Sequence, residues 1–321
     1  MTTASPAPGQ VTVRVPATCA NLGPGFDSFG LALSLADTVT ARLTSGGVSV
    51  RVTGEDTDTV GAGEQHLVVR AMRTAFAAMG VPQPGIAVSC VNEIPQGFGL
   101  GSSAAAIVAG LLAARALAGP AALAAPSGPT LPDLAPADLL ALATRMEGHP
   151  DNVAACLNGG LTIAWTPPGG GPRAARLTPV SGLVPVACVP AMAVPTVTAR
   201  MVLPPQVPHA DAAANSARAA LLATALTSAP SLLMDATEDF LHQRYRAQAM
   251  PGTAALVAAL RAAGIPAVIS GAGPSVLAFT RDDTGPSADE VAALAATADG
   301  SWRVLPLRAD LTGATVTGAA G

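Results

Sequence analysis

Three glycines and two serines, Gly97, Gly99, Gly101, Ser102 and Ser103, lie directly ahead of a run of small helix-forming residues. The first N–H groups of a helix lack intrahelical partners and the helix dipole makes that end electropositive, so a phosphate binds well there. Glycine lets the backbone approach a ligand closely, and a serine hydroxyl either caps the helix or reaches a metal or phosphate oxygen. The pattern indicates a phosphate-binding loop. A Gly-rich connection with a serine cap is the alternative at equal weight.

Lysine is absent from the chain, because all 17 basic residues are arginine. This excludes the Walker-type phosphate lysine, the protein-kinase ATP lysine and the Schiff-base lysine of pyridoxal phosphate enzymes. Any phosphate must therefore be held by backbone amides, arginine or a metal ion.

Composition restricts the class of protein. A length of 321 residues predicts two lobes, with a cleft between them as an ordinary place for a site. The net charge of −4, without a basic stripe, argues against nucleic acid as a partner. The four cysteines are far apart, with no CxxC pair, so neither disulfides nor a zinc site are expected.

The apolar runs and the N-terminus predict a protein without a membrane partner. Arg115 ends one apolar run and three prolines interrupt another, so neither approaches the roughly 20 residues needed to span a bilayer. The first ten residues lack the features of a secretory signal, and we expect a cytoplasmic location.

Hydrophobic periodicity places the candidate loop between a strand and a helix. The predicted strands are 11–15, 37–43, 48–52, 86–91, 161–166, 173–179, 184–189, 267–270, 276–280 and 302–307, and the predicted helices are 66–79, 104–112, 138–147, 215–226, 231–236, 253–263 and 288–297. Residues 119–136 form an Ala/Pro-rich excursion, and 167–172 is an interdomain linker or a hairpin loop. We place the domain boundary there, giving domains 1–170 and 171–321.

Three segments in order, 16–27, 95–106 and 270–274, resemble the GHMP family of small-molecule kinases, and the run PxxxGLGSSAA is the most specific of them. The resemblance implies an α+β fold with two lobes. The N-terminal lobe would be similar to domain 2 of ribosomal protein S5 and the C-terminal lobe ferredoxin-like, with the site between them. It also implies ATP and Mg²⁺ as cofactors.

Four further segments resemble the branch of this family that acts on homoserine: 21–27, 147–154, 196–200, and 245–246 followed by 250–252. This resemblance implies transfer of the γ-phosphoryl group of MgATP to the side-chain hydroxyl of L-homoserine, giving O-phosphohomoserine for threonine biosynthesis. Arg200 and Arg246 would bind the substrate carboxylate and Asp27 the ammonium. Asn21 and His149 would help to fix the amino acid and its hydroxyl.

The resemblance also implies a nucleotide site. Its predicted members are Pro95, Gly97, Gly99, Leu100, Gly101, Ser102, Ser103, Ala104, Gly271, Gly273 and His66, with Ser102, Ser103 and Glu147 as the magnesium ligands. His66 stands where many relatives in this branch have asparagine, close to the adenine, so the contact to the base is an open point.

The general base is also open. Mevalonate-type members of the family place a catalytic aspartate where this chain has Asn152. Asn152 and Thr196 are candidates for orienting the hydroxyl, and Asp151 is expected to be the nearby carboxylate that could accept its proton. Asp151 could instead cap the next helix. His209, His242 and Trp165 are assigned no chemistry.

Two other functions compete with this interpretation. One is a GHMP kinase acting on mevalonate or a sugar, and the other is a non-catalytic protein that senses ATP and a metabolite on the same fold. A dinucleotide-binding fold fails because no acidic residue follows the glycines at the required distance. The oligomeric state is open, with a homodimer as one alternative.

Overall fold

In the computed structural model the described residues are 9–55, 57, 61–123, 133–193, 196–283, 285–298 and 301–318. Their secondary structure divides between two sheets with helices packed against them. The strands are β1 (Gln10–Ala20), β2 (Phe29–Thr44), β3 (Val48–Gly54), β4 (Gly85–Asn92), β5 (Leu161–Trp165), β6 (Arg173–Leu177), β7 (Leu183–Pro190), β8 (Ala267–Ile269), β9 (Val276–Arg281), β10 (Trp302–Pro306) and β11 (Thr315–Thr317).

The first sheet has the strand order β11-β1-β2-β4-β3, with β5 and β6 attached through β2. Strand β1 buries Val11, Val13 and Val15, while Thr12 and Arg14 between them are partly exposed, which is the alternation of a strand with one face on the core. The long strand β2 pairs with β1 along most of its length, with β5 near its start and with β4 near its end. The end of β1 is thereby held deep in the molecule, and the loop that follows it enters the site.

The helices are α1 (Leu67–Ala78), α2 (Ser102–Leu123), α3 (Pro136–Glu147), α4 (Asp151–Asn158), α5 (Thr196–Met201), α6 (His209–Thr227), α7 (Leu233–Ala236), α8 (Gln243–Arg246), α9 (Pro251–Ala262) and α10 (Ala288–Thr297). Helix α2 packs against α1 and β1, and α3 and α4 pack beside it. It is interrupted at Gly119, where φ is 54°. The N-terminus of α2 is therefore fixed by packing on several sides.

Helix α2 is apolar on all sides because it is a core helix. The stretch Ser102–Gly119 is long and apolar enough to cross a membrane by length and composition alone, but 61% of it is buried inside the protein. The predicted helix over 104–112 was too short, since α2 begins at Ser102 and continues to Gly119 and beyond. Its burial accounts for its composition.

The second sheet has the order β10-β7-β9-β8 and is antiparallel throughout. Helices α9 and α10 pack against it around a core that contains Leu256, Leu260 and Val291. The main core continues across both lobes, since Val268, Leu277 and Phe279 of the second sheet belong to the same cluster as Val11 and Leu100. The two-lobed α+β architecture is thus confirmed.

Most predicted elements are present, and the differences have local causes. The residues 167–172 form a hairpin loop, because β5 and β6 pair antiparallel across them. Strand β1 runs five residues past the prediction, and α4, α5, α8 and β11 were not predicted at all. Part of the Ala/Pro-rich excursion lies outside the described residues. The domain boundary at 170 stays a prediction; β6 and β11 both belong to the first sheet.

Gly99 is a point of contact between the two lobes. Its φ is +75°, and a Cβ there would lie 2.2 Å from the Ser270 carbonyl oxygen and 2.8 Å from that of Gly273. The Ser270 hydroxyl donates to the Gly99 carbonyl at 2.7 Å. Residues 95–101, which precede α2 and are called the phosphate loop below, therefore contact the loop after β8 backbone to backbone. A side chain at residue 99 would prevent this contact.

We predict that Gly99→Ala lowers the free energy of unfolding by about 3 kcal/mol, since it adds a backbone clash to the left-handed conformation. Gly264→Ala is the matched control, because Gly264 has φ +80° and a Cβ added there would meet no atom within 4 Å. It should lower the same quantity by about 1 kcal/mol. Urea unfolding of both variants measures this, and equal losses would contradict the close approach.

Candidate active site

A cavity of about 310 Å³ lies between the lobes, where the phosphate loop, the loop after β1 and the loop after β8 meet. It brings together most residues that the sequence singled out. Those lining it are Asn21, His66, Gly97, Gly99, Gly101, Ser102, Ser103, Glu147, His149, Asp151, Asn152, Arg200, Arg246 and Gly271.

Five predicted residues do not line the cavity, and the side chain of a sixth, Thr196, lies outside the described residues. Leu100 and Ala104 are completely buried under the loop, and Pro95 is buried as well. Gly273 packs against Met250. Asp27 reaches the cavity only through its ion pair with Arg200.

The phosphate loop enters α2 at Gly101, which packs tightly on the strand behind it. A Cβ at Gly101 would lie 2.0 Å from Thr18 Oγ1 and 3.2 Å from Asn152 Oδ1. Helix α2 begins at Ser102, which lines the cavity. The N–H groups of its first residues have no intrahelical acceptor and lie at this end of the helix. This geometry suits an anion, as predicted from the glycine and serine spacing.

Ser103 and Glu147 meet at the same helix end, where the Ser103 hydroxyl donates to Glu147 Oε2 at 2.7 Å. Burial raises the pKa of Glu147, against the opposing effect of the Ser103 hydrogen bond. No basic side chain in the described ranges forms an ion pair with this carboxylate. Ser102 lines the cavity beside them. Carboxylate and hydroxyl oxygens next to a phosphate-binding helix end are a donor set that fits Mg²⁺.

Asn152 is oriented by a buried neighbour that the sequence analysis did not select. Thr18 is fully buried, and its hydroxyl donates to Asn152 Oδ1 at 2.7 Å. One acceptor site of the Asn152 oxygen is thus taken, and the amide nitrogen, which donates to Asp151 Oδ1 at 3.5 Å, keeps a second N–H for a ligand. The signal that could have identified Thr18 is a hydroxyl within the otherwise apolar end of β1.

Asp151 is held on one oxygen by three donors, the most distant of which is the Asn152 side-chain amide at 3.5 Å. Its Oδ1 is 2.7 Å from His149 Nδ1 and accepts the backbone N–H of Asn152, also at 2.7 Å. Burial lowers the pKa of His149, but the Asp151 carboxylate outweighs it and the net pKa is raised. Asp151 is the first residue of α4 and the cap is Pro150, so the alternative that Asp151 caps this helix is wrong, and its side chain lines the cavity.

The loop after β1 is strained and tightly bonded. Asn21, Leu22 and Asp27 have φ of 67°, 52° and 53°, and they are the non-glycine residues with positive φ in the described part of the chain. The Asn21 amide donates to the Gly271 carbonyl at 2.8 Å, and its oxygen accepts the Asp27 N–H at 2.9 Å. Strain of this kind persists where surrounding contacts over-determine it, and it clusters at functional sites.

Asp27 forms an ion pair with Arg200, which lines the cavity. The two nitrogens of Arg200 lie 2.6 and 3.3 Å from the two oxygens of Asp27, and each side chain is about one-third exposed. Phe26 lies beside this pair, with the Arg200 guanidinium 5.8 Å from its ring centroid. Arg200 was predicted to bind the carboxylate of the ligand and Asp27 its ammonium group. In the structure the two side chains lie side by side.

Arg246 is deeply buried and has no carboxylate partner among the described residues. Its side chain is 1% exposed, and its Nε and Nη1 donate to the carbonyls of Ala199 and Gly271 at 3.2 and 2.9 Å. Burial, followed by the charge of Arg200, lowers its pKa to about 10, so it is a cation at neutral pH. Within the described ranges it forms no ion pair, and Nη2 has no hydrogen-bond partner there. A buried cation of this kind is normally paired, so the guanidinium is set up to receive an anion from the cavity.

The end of the cavity next to α1 is mainly apolar, with two buried polar groups. Asp37 accepts the N–H groups of Glu93 and Ile94, and burial raises its pKa to about 6. His66 is 5% exposed, its Nδ1 has no partner among the described residues, and burial lowers its pKa. Asp37 was missed, although an acidic residue at the start of an apolar strand is a signal. Because Asp37 and Glu147 also line the cavity, the expectation that Asp151 is the nearby carboxylate was incomplete.

Burial of Glu147 has a consequence for stability. A carboxyl group whose pKa is raised on folding favours the folded state at low pH, and this contribution is lost as the pH rises through the folded pKa. Glu147→Gln keeps an acceptor for Ser103 and removes the charge. We therefore predict that it raises the thermal midpoint at pH 7.5 by about 2 °C.

At pH 4, where the wild-type carboxyl is largely protonated in both states, the difference should disappear. Glu238→Gln is the control, because Glu238 is a surface residue paired with Arg218, and its removal should not stabilise the fold. Thermal melts in metal-free buffer at both pH values measure this. A Glu147→Gln variant less stable than wild type at pH 7.5 would contradict the described environment.

Comparison with known proteins identifies the family. Residues 66–160 match the GHMP kinases N terminal domain, and residues 217–297 match the GHMP kinases C terminal domain. A homoserine kinase of Streptomyces coelicolor is 54% identical over 95% of this chain and 94% of its own length. A homoserine kinase of Clavibacter michiganensis is 47% identical over 96% of this chain and 94% of its own.

The same family appears among solved structures. The crystal structure of homoserine kinase from Cytophaga hutchinsonii superposes with a TM-score of 0.79 at 26% identity, covering 98% of this chain and all of the other. Both family domains and relatives of full length are matched. The chain therefore belongs to the GHMP kinase family, and within it to the homoserine kinases.

Proposed function

We propose that this chain transfers the γ-phosphoryl group of ATP to the side-chain hydroxyl of L-homoserine, giving O-phosphohomoserine and ADP. The observation that carries the substrate assignment is Arg246, a buried cation without a carboxylate partner at the wall of the cavity. An amino-acid substrate supplies the missing carboxylate. The homoserine kinases to which the chain is 47–54% identical support the same substrate.

The charges around the cavity suit a zwitterion. Arg246 and Arg200 would bind the α-carboxylate, and Asp27 the α-ammonium, so the substrate would exchange partners with the existing Asp27–Arg200 ion pair. Charge-assisted hydrogen bonds in a water-poor site are each worth roughly 1.5–3 kcal/mol. An alcohol without the ammonium and carboxylate would leave these groups unpaired, and it would be rejected.

The nucleotide would bind along the phosphate loop. The N–H groups at the start of α2 and the backbone from Gly97 to Gly101 would hold the phosphates, without any lysine. Ser102, Ser103 and Glu147 would hold Mg²⁺, which neutralises charge on the phosphate oxygens when bound. Gly271 would close the other side, since its carbonyl anchors both Asn21 and Arg246.

The base end of the nucleotide would lie between His66 and Asp37. His66 is neutral at pH 7 because burial lowers its pKa, and its free Nδ1 is available for one hydrogen bond to the purine. His66, which stands where many relatives in this branch have asparagine, therefore still offers a polar group to the base.

The reacting hydroxyl would be oriented, and no strong base is required. Phosphoryl transfer depends mainly on positioning and electrostatics. Asn152 would donate its second amide N–H to a phosphate or substrate oxygen, because the Thr18 hydroxyl already donates to its own oxygen. His149, bonded through Nδ1 to Asp151, would present Nε2 to the hydroxyl. Asp151 stays the candidate proton acceptor, with Thr196 as a second orienting group.

In the cell, the product of this reaction would serve threonine biosynthesis, and the enzyme would work in the cytoplasm. A homodimer is one oligomeric state compatible with the proposal.

An ADP-release assay with L-homoserine, L-threonine, L-serine, mevalonate and galactose tests the proposal, with magnesium present. We expect the kcat/KM for homoserine to exceed that for every other alcohol by at least about 100-fold, the discrimination of a site whose buried polar groups need partners. The same assay with GTP in place of ATP tests the base end.

Preference for mevalonate or galactose would replace the substrate assignment while leaving the family intact. Binding of ATP and homoserine without any ADP release would instead favour a metabolite-sensing protein. Arg42→Ala should keep the substrate preference of the wild type, because Arg42 lies on β2 and is not among the residues that line the cavity.

A further inference from the structure

His242 is a completely buried histidine that lies behind the substrate half of the cavity. It directly precedes α8, the short helix that carries Arg246. Its ring lies 5.2 Å from the ring of Phe26, between their centroids. No chemistry was predicted for His242. In the structure it lies between Arg246 and the loop after β1 that carries Asp27.

The two ring nitrogens of His242 have partners of opposite kinds. Nε2 is 2.9 Å from the Gly23 carbonyl oxygen, which can only accept. Nδ1 is 3.0 Å from Arg246 Nη1, which can only donate. These partners allow one arrangement, in which a neutral imidazole carries its proton on Nε2, donates to Gly23 and accepts from Arg246.

The charged groups around the ring are consistent with this neutral form. Burial lowers the pKa of His242 to about 4, and the positive charge of Arg246 acts in the same direction. Asp239, 3.7 Å from Nε2, and Asp27 act in the opposite direction and do not reverse the shift. The Asp239 carboxylate is occupied by the N–H groups of Leu241, His242 and Gln243.

Gly23 is a fixed point of the strained loop. A Cβ at Gly23 would lie 2.8 Å from the Thr237 carbonyl oxygen, so the loop packs directly on the backbone that follows α7. Four residues further along the chain is Asp27, whose left-handed conformation depends on the same loop. The imidazole thus joins the loop that presents Asp27 to the guanidinium of Arg246.

We propose that His242 is a positioning residue, which sets the separation between the anionic loop of Asp27 and the cation Arg246 so that together they match the zwitterion of the substrate. By occupying Nη1 on the protein side, it leaves Nη2 for the substrate carboxylate. The inference rests on the proposed function, and it adds that homoserine affinity depends on a residue that touches neither substrate nor nucleotide.

Calorimetric titration of the full chain tests this, with L-homoserine and, separately, with ATP and magnesium. Three variants separate the two hydrogen bonds. His242→Asn places an acceptor near the position of Nδ1, His242→Gln places a donor near Nε2, and His242→Leu keeps neither. His209→Asn is the matched control, because His209 is an exposed histidine at the start of α6.

We expect the Kd for homoserine to increase in the order wild type, Asn, Gln and Leu, with at least about a 10-fold loss for Leu, as for one charge-assisted hydrogen bond. The Kd for ATP should stay within about twofold of the wild type in the Asn and Gln variants. His209→Asn should match the wild type for both ligands. Steady-state kinetics should show a raised KM for homoserine with a smaller change in kcat.

Two results would overturn the inference: equal losses of homoserine and ATP affinity, which indicate a purely structural role, or homoserine binding by the Gln variant that is as tight as by the Asn variant. If the Leu variant does not fold, the Asn and Gln variants still decide. Failure of the proposed function is distinguishable, because the wild-type chain would then not bind homoserine at all.

Discussion

A guanidinium buried without a carboxylate is the constraint on which the substrate half of this protein depends. Leaving Arg246 charged in the interior is unfavourable unless other groups fix and solvate it. The carbonyls of Ala199 and Gly271 and the ring of His242 do so on the protein side. Their positions in turn require the loop after β8 and the strained loop after β1 to lie against each other. The positive charge of Arg246 therefore favours a substrate that carries a carboxylate.

The nucleotide half depends on a different constraint, the close approach of backbones. Without lysine, the chain relies on helix α2 and on glycines that let neighbouring backbone and side chains come near. Gly101 lies against Thr18 and Asn152, so the phosphate loop and the residue proposed to orient the hydroxyl share one packed contact. The hydrogen-bonded pair of Ser103 and Glu147 adds oxygen atoms that fit a cation at this end of the cavity. The two halves meet at Gly271.

The sequence could predict the parts of this site that local pattern determines. The phosphate loop, the helix after it and most strands follow from glycine spacing and hydrophobic periodicity. The resemblance to the family supplied the substrate residues. Thr18 and Asp37 carry only a weak local signal, a polar residue in an apolar strand, and His242 carries none, because each matters through a partner far away in the chain, such as Asn152 for Thr18. The short helices α5 and α8 were missed because tertiary contacts, more than propensity, hold them.

The central claim is that Arg246 pairs with the carboxylate of the substrate, and a comparison of two alcohols tests it most directly. The kcat/KM of wild type and of Arg246→Met is measured for L-homoserine and for 3-aminopropan-1-ol, which has the hydroxyl and ammonium but no carboxylate. The account predicts a loss of at least about 100-fold for homoserine, as for a lost buried charge pair, and little change for the aminoalcohol. Equal losses for both alcohols, or unchanged turnover of homoserine, would contradict it.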